Sequence, residues 1–176
     1  RIDPQLGERS WGGFSDLDQA EREKILEMRK RDPLHVGMPQ GELLLHTRHR
    51  ARILLGRVPR EFSGQRVLVF SHGEFIEALW AEVAHMTTEA QAGFFTSEAG
   101  NIRNCQVVEF SGENPFTGEW VGKLRWVRRA CPFAGVDGDW MAIESRRYTP
   151  DELLRSVEGY AQLSFPGTGS LEDQSS

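Results

Sequence analysis

The sequence predicts an α/β domain in which helices pack against a mostly parallel sheet. The apolar run 67–70 (Val-Leu-Val-Phe) is bounded by turn-forming residues, as expected of a strand buried on both faces. Helical apolar spacing follows immediately over residues 74–84. A second strand is predicted over residues 104–110. A strand, a tight turn and a helix in direct succession form a typical unit of this fold class.

Two helices are predicted before that first strand. One covers about residues 17–31, capped by Ser15 or Asp16 and ended by Asp32-Pro33, because a residue before proline avoids the α region. The other runs from Glu42 to about residue 58, and Pro59 is expected to break it. The apolar residues expected to be buried are Leu17, Ala20, Ile25 and Met28 on the first helix and Leu44, Leu45, Ala51, Leu54 and Leu55 on the second.

The remainder of the chain predicts a hairpin, a short helix and a tail. Residues 112–118 have a turn composition, so that residues 120–127 could pair back on the second strand. The segment 149–152 (Thr-Pro-Asp-Glu) is a capping box with proline at the first helical position, and it predicts a helix through residue 157. Residues 164–176 are expected to be a disordered tail after a domain covering residues 1–163.

Composition narrows the class of function. The net charge of −5 argues against nucleic acid as a partner, which usually requires a basic stripe. No apolar run approaches the length needed to span a bilayer, so no membrane association is expected. Cys105 and Cys131 could form one bridge, but two free thiols in a reducing cytoplasm is the favoured interpretation.

The strongest local signal for chemistry is Ser71-His72-Gly73, at the end of the first predicted strand. Ligands of open α/β sheets bind beyond the carboxyl ends of the strands, and a helix N-terminus attracts anions. Gly73 would let the backbone approach a ligand closely. His72 could donate hydrogen bonds to a phosphoryl group. A histidine that merely caps the helix is an equally good interpretation of these three residues alone.

A second signal is Glu8-Arg9, in a loop that also contains Gly7 and Gly12. A carboxylate beside a guanidinium could be an acid/base group next to an anion clamp. Taken alone, a surface ion pair that contributes little is the favoured interpretation.

Taken together, these motifs resemble the histidine phosphatases of the phosphoglycerate-mutase-like superfamily. Four pieces match in order and spacing between Leu6 and Phe110: Leu6-Gly7-Glu8-Arg9-Ser10-Trp11-Gly12; Pro39-Gln40-Gly41-Glu42 followed by Arg50; Val67 to Gly73; and Asn104-Cys105 at the start of a strand. The segment 126–132 also resembles the tails of some bacterial members, though less specifically.

The resemblance implies a three-layer α/β/α fold and a metal-free site that needs no cofactor. His72 would stabilise the transferring phosphoryl group and Glu8 would protonate the leaving oxygen. Arg9, Gly73 and Glu74 would bind the phosphate or the rest of a small phosphorylated substrate. Residues from about 14 to 40 would form a small helical cap that sets substrate choice.

Two family features are not found in the sequence. No Arg-His-Gly, which holds the nucleophilic histidine of the family, occurs in the chain, and the region that usually carries a second phosphate-binding arginine is also absent. We therefore expect the chain to lack an N-terminal part that includes a central strand. Residues 9–71, 63 in number, separate Glu8 from His72, which favours a phosphatase over a mutase. A non-catalytic protein that binds phosphorylated ligands is the remaining alternative.

Overall fold

The computed structural model describes residues 2–144, 149–152 and 154. The described residues before position 146 form one compact unit, and a second unit begins there. The helices of the first unit are α1 (Gln19–Arg31), α2 (Leu44–Glu61), α3 (Gly73–Val83) and α4 (Thr88–Thr96). Its strands are β1 (Val107–Ser111), β2 (Trp126–Cys131), β3 (Val136–Asp137) and β4 (Met141–Ala142). The predicted α/β class is thus confirmed.

The predicted mostly parallel sheet is not what the described residues form. β2 pairs with β1, β3 and β4, and each of these pairings is antiparallel. The β1–β2 pair is the expected hairpin, in which Val107 lies opposite Ala130 and Ser111 opposite Trp126. Its second strand begins near the end of the predicted range 120–127. Only residues 132–135 join β2 to β3, and antiparallel neighbours can be joined by such a turn whereas parallel strands need a long crossover.

The prediction of a buried strand at residues 67–70 is wrong for the described structure. The segment has no regular secondary structure, and Leu68 and Phe70 are 75% and 84% exposed. An apolar run becomes a strand only when neighbouring strands accept its backbone hydrogen bonds. None of the described strands pairs with this segment. The segment is therefore an irregular connection that leads into α3.

Helix α1 confirms the first predicted helix, with a different cap and no buried side. Asp18 caps it, and its carboxylate accepts from the N–H of Glu21 while the Glu21 side chain accepts from the N–H of Asp18. The expected apolar stripe is wrong, since none of its thirteen residues is buried and Met28 is 42% exposed. α1 is thus held by individual side-chain contacts rather than by a core.

The packing of α2 against α3 builds the part of the core that supports the site. Leu44, Ala51 and Leu54 of α2 are buried as predicted, whereas Leu45 and Leu55 are only half-buried. Phe75 and Ala78 of α3 are fully buried. The predicted end of α2 at Pro59 is wrong, because the helix continues to Glu61. Proline lacks only one N–H, and this close to the helix end the loss affects a single turn.

A second apolar cluster joins α3 to the sheet. Trp80 and Val83 of α3 pack with Val127 of β2 and with Ile143. The ring of Trp80 meets that of Phe110 edge-on at 6.0 Å and that of Phe94, on α4, at 5.3 Å. α3 therefore packs on α2 through Phe75, near its N-terminus, and on the sheet through Trp80 and Val83, near its C-terminus.

The second unit is described only around its helix start. The predicted capping box is present, because the carboxylate of Glu152 accepts from the N–H of Thr149 at 2.8 Å and the Thr149 hydroxyl accepts from the N–H of Glu152. The predicted continuation to residue 157 and the predicted tail, residues 164–176, lie outside the described residues. No helix in the described part of the chain has the length and apolar character needed to cross a membrane.

Candidate active site

The loop that carries Glu8 is held in place by the guanidinium group of Arg50, which lies on α2. Arg50 donates through Nε and Nη2 to the two carboxylate oxygens of Glu42, at 2.7 and 2.9 Å. Its Nη1 donates to the carbonyl oxygens of Gln5 and Gly7, at 2.6 and 3.0 Å. Burial alone would raise the pKa of Glu42, but the hydrogen bonds from Arg50 outweigh it and hold that pKa below its usual value. The resulting network ties the loop to α2.

The loop is also joined to residues 39–42 through the backbone. The N–H of Glu42 donates to the carbonyl oxygen of Ser10 at 2.8 Å, and the N–H of Gly13 donates to that of Pro39 at 2.9 Å. Gly12 has a φ of +50°, and a Cβ atom there would collide with the backbone of residues 39–41. Only glycine fits this close approach. Gly12 therefore lets the loop that carries Glu8 lie directly against residues 39–41.

His72 stands at the N-cap of α3, next to the same loop. The Ser71 hydroxyl donates to the carbonyl oxygen of Leu6 at 2.7 Å, so the residue before His72 contacts a residue two positions before Glu8. The side chains of His72 and Glu8 are both exposed. Gly73 opens α3, with its Cα facing Ile102. Solvent can therefore reach both of these polar side chains.

Arg9, the residue after Glu8, is buried and pairs with Glu74 of α3. It is 2% exposed, and its Nε lies 2.6 Å from Oε2 of Glu74, in an orientation that makes the contact ionic rather than a hydrogen bond. Its Nη1 and Nη2 are buried and find no hydrogen-bond partner among the described residues. Burial lowers the pKa of Arg9, and Glu74 opposes that effect. Arginine stays charged nonetheless, so this is a buried cation with unused donors.

A second arginine reaches the same carboxylate from α1. Arg29 forms an ion pair with Glu74. Its guanidinium carbon lies 4.8 Å from the ring centre of Trp11 and 5.3 Å from that of Phe95. Arg9 lies 5.2 Å from the Trp11 ring. Glu74, two residues after His72, thus bridges two guanidinium groups that share one aromatic ring.

Glu77 lies one helical turn beyond Glu74, on the same side of α3. Burial, followed by the negative charge of Glu74, raises the pKa of Glu77 to about 8, although a hydrogen bond from the backbone of Ile102 opposes the rise. Its Oε2 is buried and without a hydrogen-bond partner among the described residues. The raised pKa favours the protonated form of Glu77 near pH 7.

The predicted site residues thus gather at the N-terminus of α3. Glu8 and Arg9 come from one loop, and His72, Gly73 and Glu74 come from the helix start; their chemical roles stay predictions. Arg29 and Glu77 are not among the residues that the sequence predicted for the site. Arg29 is 45 positions from its partner, so no local pattern could reveal the pair, but Glu77 could be found from its i, i+3 spacing to Glu74 on an apolar helix. Among the described residues, no group of His, Cys, Asp and Glu side chains could hold a metal ion.

Comparison with known proteins identifies the family. The family model of the histidine phosphatase superfamily (branch 1) matches residues 1–117. These include the loop that carries Glu8, the arginines Arg9 and Arg29, and α3. The chain therefore belongs to this superfamily, and membership supports a phosphatase or mutase type of activity in general. Neither the search of curated proteins nor the search of solved structures gave a match. The strands β2 to β4 lie beyond the matched residues.

Proposed function

We propose that this chain carries the acid and phosphoryl-stabilising part of a phosphomonoesterase site that works through a phosphohistidine. The observation that supports it best is the junction of the Glu8 loop with the start of α3. The Ser71–Leu6 hydrogen bond and the Arg9–Glu74 ion pair hold these two segments together. The loop that carries Glu8 therefore lies against the residues that flank His72.

His72 and Gly73 would receive the transferring phosphoryl group. Phosphoryl transfer depends on positioning and charge stabilisation more than on covalent chemistry. The first N–H groups of α3 have no intrahelical acceptors and favour an anion at the position that His72 borders. A hydrogen bond from the imidazole would strengthen as charge develops on a phosphoryl oxygen.

Glu8 would act on the leaving group. Its side chain is exposed, while Oε1 accepts a hydrogen bond from the Arg9 N–H at 2.9 Å, which orients the carboxylate. A carboxyl group in that place can protonate the leaving oxygen and then help deprotonate water. Arg9 would bind the phosphate or substrate, and Glu74 would keep the arginine in position.

The nucleophile is the part of the mechanism that these residues do not supply. No histidine of the sequence follows an arginine and precedes a glycine. We therefore place the nucleophile outside these 176 residues. The same observation favours one second candidate, a non-catalytic protein that binds phosphorylated ligands at the start of α3. Hydrolysis by a longer polypeptide that adds a nucleophilic histidine to these residues would exclude the second candidate.

The 176-residue chain by itself is expected to show no hydrolysis of p-nitrophenyl phosphate. Loss of a covalent catalyst removes most of the rate of enzymes that depend on one. The measurement is p-nitrophenolate release by the purified protein. Hydrolysis that disappears in His72→Asn would contradict the assignment of the nucleophile to another segment.

The chain is nonetheless expected to bind inorganic phosphate, with His72→Asn weakening the affinity about tenfold, since a charge-assisted hydrogen bond contributes roughly 1.5 kcal/mol or more. Isothermal titration gives both dissociation constants. His85→Asn is the matched control, because His85 is exposed just beyond the other end of α3 and its φ of 51° suits asparagine. Equal weakening by both variants would contradict the role of His72.

A further inference from the structure

Arg129 lies on β2, beyond the residues that the family model matches. Successive side chains of a strand point to opposite faces, so Arg129 shares the face of Val127. That face packs on α3, since Val127 and Trp80 belong to one apolar cluster. The guanidinium carbon of Arg129 lies 5.5 Å from the ring centre of Trp80. Arg129 therefore reaches from the unmatched strand toward the helix that begins after His72.

The guanidinium group of Arg129 holds the connection between α4 and β1. Its Nη1 donates to the carbonyl oxygen of Ala99, and its Nη2 donates to that of Asn101, both at 2.6 Å. Nη2 also donates to the side-chain oxygen of Gln106 at 3.3 Å. Residues 97–106 contain no helix or strand that would fix them by its own hydrogen bonds. The planar fork of Arg129 therefore sets the course of this connection.

One peptide group of the connection is held on both sides. Its carbonyl oxygen, that of Asn101, accepts from Arg129. Its N–H, that of Ile102, donates to the carboxyl group of Glu77. Ile102 also lies against the start of α3, since a Cβ atom added at Gly73 would lie 3.9 Å from the Cβ and the carbonyl oxygen of Ile102. This one peptide group therefore links Arg129 to the first two turns of α3.

Arg129 and Glu77 also act on each other through their charges. Burial lowers the pKa of Arg129, and Glu77 opposes that effect. The other charged groups that act on Glu77 are Glu74 and Glu8, which raise its pKa, and Arg29, which lowers it. Nε of Arg129 and Oε2 of Glu77 are both buried without a hydrogen-bond partner among the described residues. Loss of Arg129 should therefore be felt at Glu77.

We propose that Arg129 is a positioning residue of the anion site, which fixes the Asn101–Ile102 peptide and thereby the place of Gly73 and of the N–H groups that open α3. The inference rests on the proposed function, because it takes the start of α3 as the place where the phosphoryl group binds. Arg129 acts there through Ile102. The strand β2, outside the matched residues, thus takes part in the site.

The test measures the binding of inorganic phosphate by titration calorimetry at pH 7. Arg129→Met is expected to weaken the affinity about tenfold, the effect of one charge-assisted hydrogen bond that is no longer aligned. Arg128→Met is the matched control, because Arg128 carries the same charge on the opposite face of the sheet, where its Nε lies 2.6 Å from Oε2 of Glu109. It is expected to keep the affinity of the unmodified chain.

Arg129→Lys separates position from charge, because an ammonium group keeps the charge without the planar fork. It is expected to bind phosphate about threefold more weakly than the unmodified chain, since it replaces only part of the hydrogen bonds. Should Arg129→Met not fold, Arg129→Lys takes its place. Full affinity in Arg129→Lys would mean that the charge alone acts, and it would overturn the inference.

A second readout separates positioning from a general loss of packing. Carbon NMR follows the titration of the Glu77 carboxyl group, which is expected to shift to higher pH in Arg129→Met, because Glu77 loses a nearby cation and a fixed N–H donor. Arg128→Met should leave that titration in place. Unchanged phosphate affinity or an unchanged Glu77 titration in the folded Arg129 variant would overturn the inference alone. Failure of the unmodified chain to bind phosphate would overturn the proposed function as well.

Discussion

Arg50→Met is expected to destabilise the first unit by about 3 kcal/mol, since removing one partner of a buried pair leaves the other charge uncompensated. Arg50 and Glu42 are each only 17% exposed in their side chains. Methionine keeps the bulk of the side chain but supplies none of the donors that reach Glu42, Gln5 and Gly7. The measurement is the free energy of unfolding in urea, with the Arg50→Lys variant expected to recover little because an ammonium group cannot span four acceptors.

The matched control for Arg50 lies on the same helix. Arg52 also forms an ion pair with a glutamate, Glu82, at 2.6 Å, but its side chain is 64% exposed. Arg52→Met is expected to cost less than about 1 kcal/mol, as exposed pairs generally do. Similar losses in the two variants would show that the Arg50 network does not hold the loop.

The same variant has a second readout that concerns the site. Because Arg50 binds the carbonyl oxygens on both sides of Leu6, it fixes the chain that contacts Ser71 and presents Glu8. Arg50→Met is expected to weaken phosphate binding even at temperatures where the protein stays folded. Unchanged affinity in the folded variant would separate the stability of the loop from the binding site.

The helices could be predicted from the sequence because their signals are local. α3 follows from the spacing of Phe75, Ala78 and Val83, which places three apolar side chains on one face. The end of α1 follows from Asp32-Pro33, whose backbone restriction acts between neighbouring residues. α4 was not predicted because it has no buried apolar face whose spacing could mark it in the sequence. Of its residues, only the polar Gln91 is buried.

The error at residues 67–70 has a different origin. An apolar run records that a segment prefers a non-aqueous environment, and it does not record which strands surround it. Phe70 is largely exposed in the described structure although its pattern is that of a core strand. Strand pairing is a non-local property, and it is decided by partners that the segment itself does not encode.

The residues of the site likewise differ in whether a local sequence pattern marks them. Glu8, Arg9 and His72 could be proposed from motifs, since their neighbours in sequence carry the pattern. The Arg29–Glu74 pair joins α1 to α3 across many residues, and an arginine on a polar helix has no distinguishing local feature. The sequence therefore predicts the residues proposed for the chemistry better than it predicts the residues that hold them in position.

Glu77→Gln is expected to stabilise the first unit above pH 8 and to leave its stability nearly unchanged at pH 4. The folded state keeps the Glu77 proton up to about pH 8, whereas the unfolded chain releases it near the ordinary value of 4.5. Between these two pH values the folded state binds more protons than the unfolded state, so stability falls as pH rises through this window. Glutamine has the same shape, can still accept from the Ile102 N–H, and has no proton to lose.

The stabilisation by Glu77→Gln at pH 8.5 is expected to be about 2 kcal/mol, below the ceiling of roughly 1.4 kcal/mol for each unit of pKa shift, because partial exposure screens the charge. The measurement is the free energy of unfolding of both proteins from pH 4 to pH 9, where the difference between the two curves isolates this group. Glu98→Gln is the control, since the Glu98 side chain is 92% exposed and should leave the curve unchanged. Parallel curves for the unmodified protein and Glu77→Gln would mean that Glu77 ionises in the folded state as it does in the unfolded chain, and Glu74 would then have a second negative charge beside it at neutral pH.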